Sequence, residues 1–546
     1  MKEKIGTETI LVNIPGFDQF KAIGSSKPYN TFEAVDIKSR RPVVVKTLAA
    51  KFPGKEDLAK LQRESNILKK LSSEHIVRVQ DLVEYGQGNL ALIKEPFGIP
   101  LSDFLNTFEG GMMPLDLFFE ISIGIADVLG YIHDLHVVHK DITPNNILID
   151  PISRRIKITD FGSASELSRE YKELNMSSNI EGTLPYISPE QTGRMNRDID
   201  YRSDYYALGV TYYQMLTGRL PFLSEDPLEM VHFHIGKAAP LANTLNPEIP
   251  EILARLIHKL MAKNAEERYQ SVFGLKRDLN KCKEAFLEGQ SDVLFDLGTK
   301  DISRSFTIPQ RLYGREPELN ELESYFDHTV LGTVQFCLIN GYSGVGKSVL
   351  VHELARSIAQ KKGFLISGKF DQYRQNSSYF ALAQAFKDLI KQLLGEPEEK
   401  VESWKERILE ALGQNGQLMI DFIPELEMII GKQPQIQKLS PEESQNRFLL
   451  SFTSFVKVFA NEEHPMVLLL DDLQWSDIAS LTIINRLVTS QSLSHLMIVG
   501  TYRDNEVDAK HPLMLRIREI EQKRTIQRIN LEPLNFQAVQ QLICDT

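Results

Sequence analysis

Cysteine is nearly missing from this chain: Cys282, Cys337 and Cys544 are the only three among 546 residues. Thiols so few and so scattered build neither a disulfide framework nor a metal centre, and their scarcity suits a reducing compartment. Long apolar runs are missing as well. Stretches such as Met466 to Leu470 have the length of one buried strand, far short of a bilayer span. Nothing behind Met1 and Lys2 has the apolar core of a signal peptide. There is no surplus of positive charge: 62 Lys and Arg against 73 Asp and Glu leave a net charge of −11. That balance gives no support to a nucleic-acid partner and argues against docking on an anionic membrane. The chain is expected to be soluble and cytoplasmic, with neither nucleic acid nor membrane among its partners.

What is present is an ordinary globular composition, 42% hydrophobic and 25% charged. The length suits three or four domains, or two larger ones. Up to about residue 110 the chain is strand-rich, with short β-type runs at Pro42 to Lys46 and Leu90 to Lys94. Between them Leu58, Leu61, Ile67, Leu68 and Leu71 recur at helical spacing. From Leu115 to about Ala285 the stripes are helical, as at Phe118, Ile121, Ile125, Val128, Leu129 and Ile132. Residues 286–310 lack a firm period and read as a linker. From Tyr313 onward strands and helices alternate, which predicts an α/β unit with a parallel sheet. The expected organisation is one domain over 1–285, the linker, and a second domain over 311–546.

Phosphoryl transfer from ATP needs a lysine on the phosphates, a base beside the acceptor hydroxyl, and oxygen ligands for magnesium. The first half supplies each. Lys46 ends a β-branched strand, and Glu64 lies on the following helix, offset from its apolar stripe, where it can reach back to that lysine. Asp141 in His139-Lys140-Asp141 is placed to take the proton of the acceptor hydroxyl; Asn146 and Asp160 of Asp160-Phe161-Gly162 would hold Mg2+. In this order and spacing the set resembles the eukaryotic-type protein kinases, from about Ile23 to Ala285. The resemblance extends to Gly182-Thr183, to Ser188-Pro189-Glu190, to Asp204 on a helix expected to be buried, and to Arg268, which the family would pair with Glu190. It implies a bilobal α+β kinase fold, ATP as nucleotide, and Gly24 and Lys46 as nucleotide-binding residues. Thr183 points to serine or threonine acceptors, and Ser163, Ser165, Ser168, Ser177 and Ser178 are candidate self-phosphorylation sites.

The departures fall on the phosphate clamp. Of the family's glycine loop only Gly24 survives, with Ser26, Tyr29 and Thr31 in place of two glycines and a valine. Fewer glycines leave fewer backbone amides free to close on phosphate. Thr143 stands where Ser/Thr kinases carry a lysine, and Lys140 replaces an arginine whose bidentate fork it cannot reproduce. The proton-transfer and metal positions are intact. The expected enzyme is active but slow.

The second half carries another ATP-binding pattern. An apolar run, Val334 to Ile339, leads into Gly341-x-x-Gly344-x-Gly346-Lys347-Ser348, and an amphipathic helix is expected over 349–359. Strand, glycine-rich loop and helix together form a P-loop. Its amides and helix N-terminus bind phosphate, Lys347 reaches the β/γ oxygens, and Ser348 ligates Mg2+. Asp471 and Asp472 close the strand Val467 to Leu470; Asp471 would hold magnesium and Asp472 would polarise an attacking water. Arg503, after the run Leu496 to Val499, is placed as a γ-phosphate sensor. With Tyr313-Gly314-Arg315-Glu316 ahead of it, this half is similar to the AAA-like signal-transduction ATPases with numerous domains. That class continues into a lid, here barely begun, so nucleotide is expected to be poorly retained.

The pair of domains resembles the N-terminal portion of large bacterial hybrid kinases, best known in cyanobacteria, without their histidine kinase portion. His352-Glu353-Leu354 looks like a phospho-accepting histidine box but sits just after the P-loop, and His352 is read as a helix-surface residue. The leading expectation is a protein serine/threonine kinase in signal transduction, acting on protein substrates and regulated by its P-loop ATPase module, with signalling partners or self-association. Two alternatives stay open: a pseudokinase–ATPase scaffold, and the input half of a hybrid histidine kinase.

Overall fold

The computed structural model describes every residue except 1–13, 27, 51, 87, 167–181, 194–196, 291–292, 302–311, 373–377, 395, 397, 438 and 546. Phe17–Ser26 (β1), Tyr29–Asp36 (β2), Pro42–Leu48 (β3), Val79–Tyr85 (β4) and Asn89–Lys94 (β5) form an antiparallel sheet in the order β1-β2-β3-β5-β4. Pro42 opens β3, where a missing N–H is tolerated. The valines that follow place β3 in the middle of the sheet, with Lys46 opposite Thr31 on one side and Leu92 on the other.

The Lys55–Lys70 helix packs on this sheet. Glu56 and Asp57 in its first turn and Lys69 and Lys70 in its last complement the helix dipole. The helix buries Leu61, Ile67 and Leu68, and with them Glu64. Offset from the apolar stripe, Glu64 reaches back to Lys46 and is fully buried there, because two lysines rather than water solvate its carboxylate.

Below lies a helical lobe. Leu115–Asp134 packs into one large core with Arg202–Thr217 and Glu251–Leu260. Arg202–Thr217 is buried at every residue but Gln214. Its polar side chains therefore all need internal partners. Ile99–Pro100 (β6), Ile147–Ile149 (β7) and Ile156–Ile158 (β8) make a small sheet whose strands bracket the segments 139–146 and 159–162.

The second half is built on Val334–Asn340 (β9), Phe364–Lys369 (β10), Met466–Asp471 (β11), Leu496–Tyr502 (β12) and Gln527–Asn530 (β13). They run in the order β10-β11-β12-β9-β13, and every neighbouring pair is parallel. Both faces of such a sheet are covered, so its strands are almost continuously apolar. Alternation still decides which way each residue points. Phe336, Leu338, Leu468, Leu470 and Ile498 enter one core, while Cys337, Ile339, Val467, Leu469, Met497 and Val499 enter the other.

Two local expectations fail here. The helix expected over 349–359 breaks at Leu354 into Lys347–Glu353 and Ala355–Gln360, where the Leu354 amide takes the tighter bond to the Val351 carbonyl, 3.1 Å. His352 is not a surface residue. It is 7% exposed, and burial lowers its pKa. Its helix is covered beyond its sheet face, since Glu353 is tied to Arg197 of the first half at 3.2 Å. Among the described residues no helix is long and apolar enough to cross a membrane.

Candidate functional site

β3 and the helix behind it bring Lys46 and Glu64 together. Lys46 Nζ donates to Glu64 Oε2 at 2.8 Å and to Asp160 Oδ1 at 2.7 Å. The lysine is 3% exposed. Burial alone would lower its pKa, but the carboxylates of Asp160 and Glu64 hold it raised. The same balance runs the other way on Asp160: burial favours the neutral acid, and the ammoniums of Lys46 and Lys94 overcome it and keep the acid ionised.

Lys94 was missed in the sequence. It ends β5 and donates to Glu64 Oε1 at 3.1 Å and to Thr159 Oγ1 at 3.2 Å. The available signal was a charged residue closing an otherwise apolar strand, the same signal that singled out Lys46. Glu64 is thus held by one ammonium on each oxygen, so its helix stays docked even if Lys46 turns toward phosphate.

The loop that carries Asp141 is suspended from a buried carboxylate. The amides of His139 and Lys140 donate to Asp204 at 2.9 and 2.7 Å, and His133 Nε2 lies 2.8 Å from the same group. Asp204 thus fixes the backbone that carries Asp141. Asn146 Nδ2 donates to Asp141 Oδ2 at 2.8 Å, and the Thr183 amide to Asp141 Oδ1 at 2.8 Å. Burial raises the Asp141 pKa, against the Thr183 hydrogen bonds that lower it, which makes this carboxylate a stronger base than an ordinary aspartate. Lys140 and Asp160 both have positive φ, 66° and 65°. Left-handed non-glycine residues cost about 1–3 kcal/mol each and gather where geometry is functional.

The remaining first-half candidates divide. Gly24 lies in β1 opposite Thr31, and a Cβ there would meet nothing within 4 Å, so space alone does not require glycine. Ser165 is buried and its backbone pairs with Val138, which makes it a poor phosphate acceptor. Ser163 is half-buried. Ser168, Ser177 and Ser178 lie outside the described residues.

The P-loop follows β9. Gly344 and Gly346 have φ of 78° and 98°, and a Cβ on Gly341 would sit 2.6 Å from the Leu531 carbonyl oxygen. These three positions need glycine for backbone reasons. Lys347 Nζ is folded onto its own loop, donating to the carbonyls of Gly341 at 2.9 Å and Tyr342 at 2.8 Å. Burial lowers its pKa, with Asp472 and Asp471 opposing. Ser348 Oγ donates to the Asp471 carboxylate at 2.9 Å. Asp472, at φ 59°, accepts from Gln474 Nε2 at 2.9 Å. Arg503 Nε stands 3.4 Å from Asp472, its Nη1 pairs with Glu506 at 2.8 Å, and the guanidinium lies over Trp475 at 4.7 Å. The arginine expected to sense phosphate thus rests on the acid expected to activate water. Lys369 Nζ, 3.6 Å from Asp472, and Thr501, bonded to Asp471, were not foreseen. Both lie at the carboxyl ends of strands, where ligands bind in open α/β sheets.

Two pairs of oxygen ligands suit a hard divalent cation. Asn146 commits its amide nitrogen to Asp141 and so offers its carbonyl oxygen, while Asp160 spends Oδ1 on Lys46 and has Oδ2 to give. In the second half the pair is Ser348 and Asp471. Few protein ligands completed by substrate phosphates is the coordination that Mg2+ favours over a dedicated protein cage.

Comparison with known proteins finds two domain matches. Residues 17–283 match the protein kinase domain and residues 311–499 match an AAA ATPase domain, so the chain carries the one followed by the other. It is 31% identical over 487 residues to hybrid signal transduction histidine kinase G of Dictyostelium discoideum, covering 72% of this chain and 14% of that protein. It is 30% identical over 268 residues to serine/threonine-protein kinase PrkC of Bacillus subtilis, covering 48% of this chain and 40% of that one. A crystal structure of the Mycobacterium tuberculosis PknI kinase domain is matched over 50% of this chain and 96% of its own, at 22% identity and a TM-score of 0.38. The chain spans less than half the length of these two curated relatives.

Proposed function

We propose that this chain, a protein kinase domain joined to an AAA ATPase domain, transfers the γ-phosphate of ATP to serine or threonine hydroxyls of protein substrates. In this proposal the ATPase domain regulates that transfer, the protein works in the cytoplasm, and Mg2+ accompanies ATP. The observation that carries the reading is the assembled cluster of Lys46, Glu64 and Asp160, at 2.8 and 2.7 Å, beside an Asp141 already bonded to Asn146. Transfer requires these parts to be in place together.

The chemistry assigned to the residues is direct. Asp141 accepts the proton of the acceptor hydroxyl as its oxygen forms a bond to the γ-phosphorus; the bond to the bridging oxygen breaks and ADP leaves. Lys46 neutralises phosphate charge from its fixed strand. Asn146 and Asp160 would hold Mg2+, which when bound offsets charge on the phosphates. The Thr183 amide keeps Asp141 oriented toward the segment where an acceptor lies.

Regulation in cis is supported by the contact between the halves. The Pro227–Gly236 helix packs on the Ala355–Gln360 helix, and Ile187, Val231 and Ile235 form one cluster with Ala359. Gln360 Nε2 donates to the Gly236 carbonyl at 3.1 Å, and Lys362 pairs with Glu229 at 3.0 Å. Arg197 joins Glu266 at 2.8 Å to Glu353, the last residue of the helix that opens with Lys347 and Ser348. Ile187 is only four residues beyond Thr183, which holds Asp141. A shift of the P-loop helix would therefore bear on the substrate side of the kinase. Such coupling needs an element with two arrangements that both sites bias.

Gly236 gives a direct handle on that contact. A Cβ there would stand 2.8 Å from Gln360 Cγ and 3.3 Å from the Arg356 carbonyl oxygen. Gly236→Leu is expected to overpack the seam by about 1–3 kcal/mol. Hydrogen exchange over 227–236 and 355–360 should then rise by roughly 5- to 150-fold, and unchanged protection would remove the seam from the account.

Transfer of labelled γ-phosphate to a basic protein acceptor tests the function itself. Acid-stable label on serine or threonine is the expected product. ATP binding with no label would favour the scaffold, and acid-labile label on histidine would favour a phosphorelay.

A further inference from the structure

The strongest unassigned feature of the molecule is an aromatic ring where a nucleotide phosphate has to go. Tyr29 opens β2, in the tip of the hairpin whose family counterpart is glycine-rich. Thr31 lies directly opposite Lys46, and Tyr29 shares its face two residues away. Diagonal neighbours across an antiparallel pair are within reach of an aromatic side chain. The ring accordingly covers Lys46 Nζ, 4.1 Å from its centroid. Two of the three donors of that ammonium are spent on Glu64 and Asp160. The ring lies against what is left of an ammonium that is almost wholly buried. At its far end the hydroxyl comes within 3.9 Å of the position a Cβ would take on Gly162. Tyr29 thus bridges the hairpin to the Asp160-Phe161-Gly162 segment across the mouth of the site.

We propose that Tyr29 is the residue that sets the affinity of the kinase site for ATP, its ring occupying the face of Lys46 that the phosphates must reach. This rests on the kinase reading above and goes beyond it, since the sequence marked Tyr29 only as a lost glycine. ATP enters when the ring swings out, and its apparent affinity is reduced by the fraction of time the ring spends in place. The attraction of a desolvated ammonium for an aromatic face holds the closed state. The phenol is neutral at physiological pH and adds no negative charge to the phosphate path; burial, partly offset by Lys46, pushes its pKa further up to about 12. The weak grip anticipated from missing glycines therefore has a second source, a competitor already seated on the lysine.

The test is the ATP dissociation constant of the full chain by titration calorimetry with magnesium, in a Lys347→Ala background that weakens the second site. Tyr29→Ala is expected to tighten ATP by about tenfold, the size of one modest cation–π contact. Tyr29→Phe keeps the ring and should stay within about twofold of the parent. Thermal unfolding of each variant controls for folding. Unchanged or weaker binding in Tyr29→Ala overturns the proposal, and leaves the kinase reading standing if Lys46→Met still abolishes the signal. Binding that is indifferent to Lys46→Met overturns both.

Discussion

Asp141→Asn should lower phosphate transfer to protein by about 10²- to 10⁴-fold, the usual contribution of a positioned general base, while ATP still binds. Asparagine keeps the shape of the side chain but has a single acceptor oxygen, so it can keep the bond from Asn146 Nδ2 or from the Thr183 amide, which measure 2.8 Å each to Asp141, and not both. What it loses is the lone pair that takes the hydroxyl proton. The loss should therefore appear in the rate constant at saturating ATP and hardly in the ATP dissociation constant. Because burial raises the Asp141 pKa, the acidic limb of the wild-type rate profile should lie above the ordinary aspartate range, with activity rising as the carboxyl deprotonates. Initial rates across pH, measured on wild type and variant together, check both parts. Equal transfer by Asp141→Asn would remove the base from the mechanism.

The second large effect is on stability. Arg268 makes a bidentate pair with Glu190, Nη1 to Oε1 at 2.6 Å and Nη2 to Oε2 at 2.9 Å. Its other donors reach the carbonyls of Ala262, Arg202 and Lys263. Ser203 adds a further bond to Glu190 at 2.6 Å. Removing one partner of such a buried pair leaves the other charged and unsolvated, at a cost of about 3–5 kcal/mol. Arg268→Ala should show that loss in the midpoint of urea unfolding of the kinase half. Burial would raise the Glu190 pKa, but Arg268 outweighs it and holds the acid at about 2, against 4.5 for a free glutamate. A depressed carboxylate contributes its stability in full above the unfolded pKa and loses it as pH falls through the folded one. The gap between wild type and Arg268→Ala should therefore narrow from about pH 4.5 toward pH 2. A gap that does not change with pH would mean that the pair is not what the substitution removed.

The fold class was readable because each half announces its own periodicity. The Val43 to Lys46 run, the helical stripe of Phe118 to Ile132 and the apolar strands around Leu338, Leu468 and Ile498 all appear where the pattern put them. Alternating β and α elements predicted the parallel sheet, and every strand pair in it is parallel. The charged partners of the sites were harder to see. Lys94 and Lys369 belong to no motif and matter only because the register of β5 and the end of β10 bring them to Glu64 and Asp472. His352 was misjudged because helical periodicity reports the face toward one core, and its helix is covered on a second face as well. Tyr29 was legible only as a substitution, since its meaning depends on a cross-strand diagonal that no linear spacing reveals.

The two proposed ATP sites are expected to do different work, one transferring phosphate and the other governing the transfer. The most direct measurement is the initial rate of acid-stable phosphate transfer to a protein acceptor by wild type, Asp141→Asn and Lys347→Ala, side by side at saturating ATP and magnesium. Asp141→Asn should abolish transfer, and Lys347→Ala should change its rate while the chemistry at Asp141 is untouched. Transfer that survives Asp141→Asn, or a Lys347→Ala rate and oligomeric state identical to wild type, would contradict that division of work.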